Sequence, residues 1–386
     1  VYSSGGSLTD GFYYWSGTDW KWLGNTKTTM VTKTANATLA KGETMVLASN
    51  SITLTLPTVT AADNGLEITV KHVGLHTDLV TVQGNGGATI DGMSNMKLTK
   101  LMYQTYIASN GSWLLKAGKK FDNFLLDVND NSSWSTVKEA VEFLNLHMEG
   151  PTVVRLDDEA YTINQTILVD LSYAVTFQGT AYGHTSIIPG AGLSGQPMFR
   201  CASESYFKMI MFDATPSGTY GTAVGEDAIR LIGIGTYHEI KDCTFERFYN
   251  TIVDSSDAEL WLFECDITNA QRNGVLVQST VPGVKVRVAE TDFINCRRGF
   301  NMDKASGAVI QMMSGAYLNS NSTDSAIIYN PATFGYVTIF ITSNSWNHTG
   351  KFIEGFDFTR SDGRDADAYI QNNIGIGDKN PACNIN

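Results

Sequence analysis

The sequence predicts an all-β chain, with a right-handed parallel β-helix in its C-terminal part, preceded by a small β-sandwich-like module and one capping helix. Three observations predict it. Between about residue 206 and residue 356 one unit recurs: an alternating apolar run, a polar pair, a large apolar residue, Asn or Arg, then a further apolar patch. Charged residues make up only 17% of the 386 and Gly contributes 36, a balance common in β-rich proteins rather than helical enzymes. Only residues 131–148 carry a convincing helical periodicity.

Five copies of the unit align on Phe245, Ile267, Phe293, Tyr317 and Trp346, at intervals of 22, 26, 24 and 29 residues. Such variable spacing suits a coil whose turns differ in length while its strands stay in register. Two residues earlier stand Cys243, Cys265, Thr291, Gly315 and Asn344. Residues two apart on a strand share a face, so both series are expected to point inward. Two residues after the bulky position come Arg247, Asn269, Asn295, Asn319 and His348. The three Asn are expected to stack as an amide ladder at a bend, on rungs ~4.8 Å apart. Parallel crossovers wind right-handed, which sets the expected hand of the coil.

Residues 1–26 form an N-terminal aromatic segment. Phe12, Tyr13, Tyr14, Trp15, Trp20 and Trp22 flank the turn Ser16-Gly17-Thr18-Asp19, which predicts a hairpin packed on a neighbour, its own or another subunit's. The segment resembles the GxYYWxGxxW hairpins of phage tail proteins and Bacteroidota surface proteins.

Residues 27–118 alternate over Ile52 to Leu56, Leu66 to Val70 and Leu79 to Val82, with turn clusters at Asn85-Gly86-Gly87 and Asn110-Gly111-Ser112. Short strands at this spacing predict a small sandwich or meander. Ile68-Thr69-Val70-Lys71, Val80-Thr81-Val82, Ile90-Asp91-Gly92 and Ser109-Asn110-Gly111-Ser112-Trp113 resemble a module of phage tail fibres and spikes. That resemblance implies attachment or spacing rather than chemistry.

Residues 119–150 are read as a linker and capping helix. Ser133 or Ser135 can cap the helix, and Val137, Val141, Phe143, Leu144 and Leu146 give it an apolar face. Such a helix is expected to plug the open first rung; the alternative is an interdomain helix packed on the sandwich. The β-helix itself is read as residues 151–356. Thr152 to Asp157, Ala160 to Ile163, Thr166 to Val169, Val175 to Gly179 and Ser186 to Ile188 resemble the first rungs of pectate-lyase-like β-helices, phage tailspikes among them. Asp158-Glu159-Ala160 stands where those families carry Pro-Gly before the Tyr, which loosens the tie to any one enzyme family. Residues 357–386, polar and ending in a Gly-rich turn, are read as a C-terminal cap.

Composition excludes several classes. A net charge of -12 without a basic stripe speaks against nucleic acid. No apolar run approaches ~18 residues, so no membrane insertion is expected. The five Cys lack zinc spacing and read as small buried residues, a Cys243–Cys265 bridge being the alternative. No metal site and no cofactor is predicted. The start at Val1 without Met reads as a processed or incomplete chain.

For chemistry, the best hydrolase candidate is an outward acidic patch of Glu264, Asp266, Glu290 and Asp292 on two adjacent rungs. Carboxylates there would lie roughly 5 Å apart, near the separation in retaining glycosidases, and repulsion would raise one pKa. The plainer reading is a solvated acidic surface, with Arg247, Arg272, Arg297 and Arg298 as counter-charges. Trp261, on an acidic outer strand, is the candidate platform for a sugar ring, ahead of Tyr206, Tyr220, Tyr237 and Trp346. The six His show no catalytic or metal spacing and read as structural or surface residues.

Together the resemblances imply a phage spike or tail-fibre protein on the virion, or else a secreted or bacterial cell-surface protein. They imply a homotrimer, an N-terminus bound to other virion proteins, and a coil that meets host surface polysaccharide. The rival readings are a polysaccharide-degrading enzyme, hydrolase or lyase, and a purely structural fibre or adhesin module.

Overall fold

A computed structural model describes residues 29–303, apart from 123, 130–132, 182 and 279–283. It also describes residues 2–3, 11–15, 17–18 and 20–22 and, beyond 303, the strands named below. The chain divides into two compact units, Val1–Phe121 and Asp122–Asn386.

In the first unit, Gly11–Trp15 pairs antiparallel with Trp20–Trp22, setting Tyr13 opposite Trp22 and Trp15 opposite Trp20 as the expected hairpin requires. Tyr2–Ser3 adds a third strand along Gly11–Phe12.

Residues 30–118 form two sheets that enclose one core, with Val46, Leu54, Ile68, Val70, Val82, Leu98, Tyr106 and Trp113 buried. The topology is no meander. Met30–Lys33, Met45–Ala48 and Glu67–His72 run parallel in one sheet, and Ala37–Thr38, Thr53–Thr55 and Val80–Gln83 run parallel in the other. The chain therefore winds from sheet to sheet as a short coil before Asn95–Leu98, Tyr103–Ser109 and Ser112–Gly118 close it antiparallel. Alternation marks one buried face but not strand direction, so the sequence pattern could not separate the two topologies. The closing hairpin turns on Asn110 (φ 48) and Gly111 (φ 82), the paired left-handed residues of a tight two-residue turn.

The second unit is a parallel β-helix whose three sheets hold ten, nine and nine strands among the described residues. The first sheet runs from Leu125–Val128 through Thr152–Leu156, Val175–Gln178, Ser205–Lys208, Tyr237–Lys241, Glu259–Phe263, Lys285–Ala289, Ala308–Met313 and Val337–Thr342 to Asp367–Gln371. The second begins at Ala160–Ile163 and includes Met211–Asp213, Thr244–Glu246, Asp266–Thr268, Asp292–Ile294, Tyr317–Ser320 and Ser345–His348. The third includes Phe199–Cys201, Asp227–Leu231, Asn250–Asp254, Asn273–Val277 and Arg298–Asp303. The coil thus starts before the expected boundary, since Leu125–Val128 pairs in parallel with Thr152–Leu156. It also runs past residue 356, because Asp367–Gln371, Ile374–Gly375 and Cys383–Ile385 each extend a sheet. Residues 357–366 of the expected cap lie outside the described residues.

The helix spans Val137–His147 and packs on Leu125–Val128, Thr152–Leu156 and Ile167–Val169, strands at the start of the coil. Its cap is Thr136 rather than Ser133 or Ser135. The Thr136 hydroxyl accepts the Glu139 N–H at 3.2 Å, while the Glu139 carboxylate accepts from the Ser135 N–H at 2.8 Å. Thr-x-x-Glu is the capping-box spacing, which favours Thr136 over either Ser. Val137, Val141, Phe143 and Leu144 are buried, but Leu146 faces outward at 66% exposure.

Inside the coil, Phe212, Phe245, Ile267 and Phe293 form one buried column on the second sheet. Phe212 and Phe245 stack with ring centroids 4.8 Å apart. Cys243, Cys265 and Thr291 also point inward and are buried, as the alternation predicts. The next member of the column is Leu318, not Tyr317: Leu318 pairs with Phe293 and then with Trp346, while Tyr317 pairs with Asp292. Leu318 therefore holds the register position that the repeat alignment gives to Tyr317. Gly315 and Asn344 lie outside the described residues.

The expected Asn ladder is also relocated. Asn269 (φ 55) and Asn295 (φ 52) do follow Arg247 (φ 62) at one corner, in the left-handed conformation that Asn tolerates. The Asn269 amide, however, donates to Glu246 Oε1 at 2.7 Å, and Asn319 pairs with Ile294 rather than with Asn295. The amide stack stands on the third sheet, where Asn273 Nδ2 donates to Asn250 Oδ1 at 2.6 Å and Asn250 Nδ2 donates to Asp227 Oδ1 at 3.1 Å. Cys201, Cys243, Cys265 and Cys296 are buried free thiols, and Cys243 and Cys265 form no bridge. Burial pushes the thiols of Cys201, Cys243 and Cys296 up to about 12.

Candidate functional site

The outer face of the first sheet gathers aromatic and charged side chains. Phe207, Ile240, Leu262 and Val288 point inward, so alternation sends Tyr206, Glu239, Trp261 and Arg287 outward in one column. A second outward column holds Lys208, Lys241 and Phe263, and a third holds Tyr237, Glu259 and Lys285.

The aromatic rings form a ladder across rungs. Tyr206 and Tyr237 lie 5.8 Å apart by centroid, and Tyr237 meets Trp261 edge-on at 5.9 Å. The Arg287 guanidinium sits 4.4 Å from the Trp261 centroid. Trp261 Nε1 donates to Glu259 Oε1 at 2.9 Å, and Lys285 Nζ approaches Glu259 Oε2 at 3.5 Å. The Trp261 hydrogen bond, aided by the Lys285 and Arg287 charges, holds the Glu259 carboxyl below the usual range. On the preceding rungs, Glu239 takes the Lys208 ammonium at 3.0 Å and the Tyr237 hydroxyl at 3.2 Å. Burial, with the Glu239 charge beside it, raises the Tyr237 phenol.

Trp261 is therefore where the sequence suggested, on the outer face and half-buried. Its indole is flanked by Arg287, packed edge-on with Tyr237, and bonded through Nε1 to Glu259. Tyr220, another aromatic candidate, is 4% exposed and belongs to the core.

The acidic patch divides into two arrangements. Glu264 and Glu290 sit at the corner between first and second sheets with φ 53 and 48. Asp242 (φ 53) holds the same corner one rung earlier and Met209 (φ 55) the rung before that, so the left-handed backbone belongs to the turn and not to acidity. Glu264 turns back toward the earlier rung, with Oε2 3.3 Å from Lys241 Nζ. Burial, followed by the hydrogen bond and charge of Glu264, raises the Asp242 carboxyl above its ordinary value.

Asp266 and Asp292 are register partners on the second sheet, both half-buried and facing out. The structure keeps this pair side by side and separates it from Glu264, whose ion pair is with Lys241. Asp242 is not among the four residues of the sequence-predicted patch; its place one repeat before Glu264 was the available signal. The arginines read as counter-charges lie elsewhere in two cases: Arg247 donates to Gly218 O at 3.4 Å, and Arg272 donates to the Tyr249 hydroxyl at 3.1 Å. Among the described residues no cluster of three or more His, Cys, Asp or Glu could hold a metal ion. Among them, no helix is long and apolar enough to cross a membrane. His238 is a core residue, bonded to the hydroxyls of Ser205 and Thr236 at 2.8 Å each, and burial lowers it to about 4.

No protein-family model matches the chain, and no curated protein matches it. Among solved structures, it is similar to ORF18 of Geobacillus virus E2, at 12% identity over 78% of this chain and 69% of that one, with a TM-score of 0.37. The pectin methylesterase of Aspergillus niger is similar at 13% identity over 68% of this chain and 89% of its own, with a TM-score of 0.38. For PemA, the pectin methylesterase of Erwinia chrysanthemi, the values are 11%, 68%, 92% and 0.36. Similarity of this degree says nothing of what this chain binds or cuts.

Proposed function

We propose that the chain is a viral spike or tail-fibre protein that recognises host surface glycan with the outer face of its first sheet, without cutting it. The observation that carries this reading is the ladder Tyr206–Tyr237–Trp261–Arg287, braced by Lys208, Glu239, Glu259 and Lys285. Rings fixed beside charged donors and acceptors suit a pyranose, which has apolar faces and a hydroxyl rim. The resemblance of residues 27–118 to phage tail modules supports a place on the virion. In this reading residues 1–26 contact other virion proteins and three chains associate as a homotrimer.

Binding of the full chain to purified capsular polysaccharide and O-antigen, followed by surface plasmon resonance, tests the proposal. The wild type binds, and Trp261→Ala with Arg287→Ala weakens binding by ~10-fold or more. A chain that binds none of these polysaccharides sinks the proposal. Light scattering tests the trimer separately, and a monomer mass contradicts it. A hydrolytic reading keeps one observation in its favour, the Asp266–Asp292 register pair.

A further inference from the structure

The connections from the second to the third sheet are short on most rungs: residues 164–166, 247–249, 269–272 and 295–297. Two neighbouring rungs depart from this, with residues 190–198 and 214–226 in the same position. Insertions on one side of a repeat coil commonly build its binding surface.

These two loops are locked together. Glu226, 3% exposed, accepts the Gly195 N–H of the first loop at 3.1 Å through Oε1. Its Oε2 accepts the Thr222 and Ala223 N–H groups of the second loop at 2.9 Å each. The Tyr220 hydroxyl donates to the Gln196 carbonyl at 2.6 Å. A buried carboxylate with both oxygens satisfied by backbone N–H across two loops fixes their shape before any ligand arrives.

Between them lies a cleft of about 390 Å³, within the size range of ligand pockets. Ser194, Ser217, Thr219 and Thr222 line it, the Ser217 and Thr222 hydroxyls already donating to the Ala214 and Thr219 carbonyls at 2.9 and 2.6 Å, and Pro189 and Ala191 add small apolar walls. No cationic side chain lines it, and its one carboxylate is already occupied. Such a lining offers nothing to an anion and has neutral partners for hydroxyls.

We propose that this cleft is a binding site for a neutral saccharide. It stands at a different corner from the aromatic ladder and does not depend on it. Saturation-transfer NMR on the full chain tests it, with maltotriose, cellotriose and trigalacturonate as probes at ~1 mM, where even weak binding registers. Transfer is expected to at least one neutral trisaccharide and not to trigalacturonate. It is lost in Ser194→Trp and Thr219→Trp, both at exposed positions, and persists in Trp261→Ala. Thr219→Val, which removes only a hydroxyl, weakens it several-fold and guards against misfolding as the cause. The proposal is overturned by no transfer to either neutral sugar, by transfer that survives both Trp variants, by its loss in Trp261→Ala, or by equal transfer to trigalacturonate.

Discussion

Asp242 and Glu264 hold the same left-handed corner on successive rungs, and Glu264 reaches back to the earlier one, its Oε2 3.3 Å from Lys241 Nζ. Burial, followed by the neighbouring Glu264, raises the Asp242 carboxyl above its ordinary value.

Glu264→Gln removes the charge and supplies a permanent amide donor. The Asp242 titration midpoint should fall in carboxyl-carbon NMR. The site is half-exposed, so the change in stability should stay below about 1 kcal/mol even though Lys241 loses its partner. An unmoved Asp242 midpoint would show that the two carboxyls do not interact.

A stronger pH effect is expected from the third sheet. Asp254 occupies the inward column between Leu231 and Val277 and is fully buried. Its Oδ1 accepts the Ser256 N–H at 3.0 Å and the Ser256 hydroxyl at 3.1 Å, while Oδ2 has no partner among the described residues. Burial pushes this carboxyl up to about 7. The folded state therefore holds a proton that the unfolded chain releases near pH ~4. Stability from this group is present below that pH and is lost as pH rises toward and through about 7. In denaturant melts from pH 4 to pH 8, Asp254→Asn should flatten the decline, and an identical slope in both proteins would refute the assignment.

The amide stack makes a separate prediction. Asn250 both donates to Asp227 and accepts from Asn273, and all three are buried. Asn250→Ala strands a donor on Asn273 and takes the side-chain amide from Asp227, which keeps its pairing with Arg230. The loss should be ~2–4 kcal/mol, read as a lower urea midpoint at unchanged m-value. Asn250→Asp should cost more, because it sets a second carboxylate against Asp227.

The parts of the fold legible in the sequence were those whose signal is local and periodic. Phe245, Ile267 and Phe293 revealed the inward column because strands of one sheet keep a two-residue alternation through turns of any length. The alignment slipped at Tyr317, where Tyr317 and Leu318 are both bulky and only pairing with Phe293 decides between them. Asp242 and Glu264 share a corner through their place in the repeat, but the ion pair there depends on how Glu264 bends toward Lys241. The Glu226 clamp left no sequence mark, since one carboxylate gathers N–H groups from two separate loops. Parallel pairing near the N-terminus was hidden for a related reason: alternation tells which face is buried, never which way a neighbouring strand runs.

Core packing should dominate stability within the coil. Phe245 is fully buried, stacked on Phe212 with an interplanar angle of 6°, and continued by Ile267 on the next rung. Phe245→Ala should cost about 3–5 kcal/mol, whereas Phe245→Leu, which keeps most of the volume, should cost far less. Equal losses for the two would mean that the stack contributes little through packing.

The choice between binding and cleavage rests on Asp266 and Asp292. They are direct register partners, so their Cα atoms lie ~4.8 Å apart and two carboxylates face one another across the ladder. In a binding protein the pair carries no chemistry, and the chain with Asp266→Asn and Asp292→Asn should still fold. Glycan binding should be unchanged, because the aromatic ladder stands on the first sheet and this pair on the second. The wild type should release no new reducing ends from surface polysaccharide. If it does release them, and the double variant stays folded while losing that release, the pair is catalytic and the coil is an enzyme.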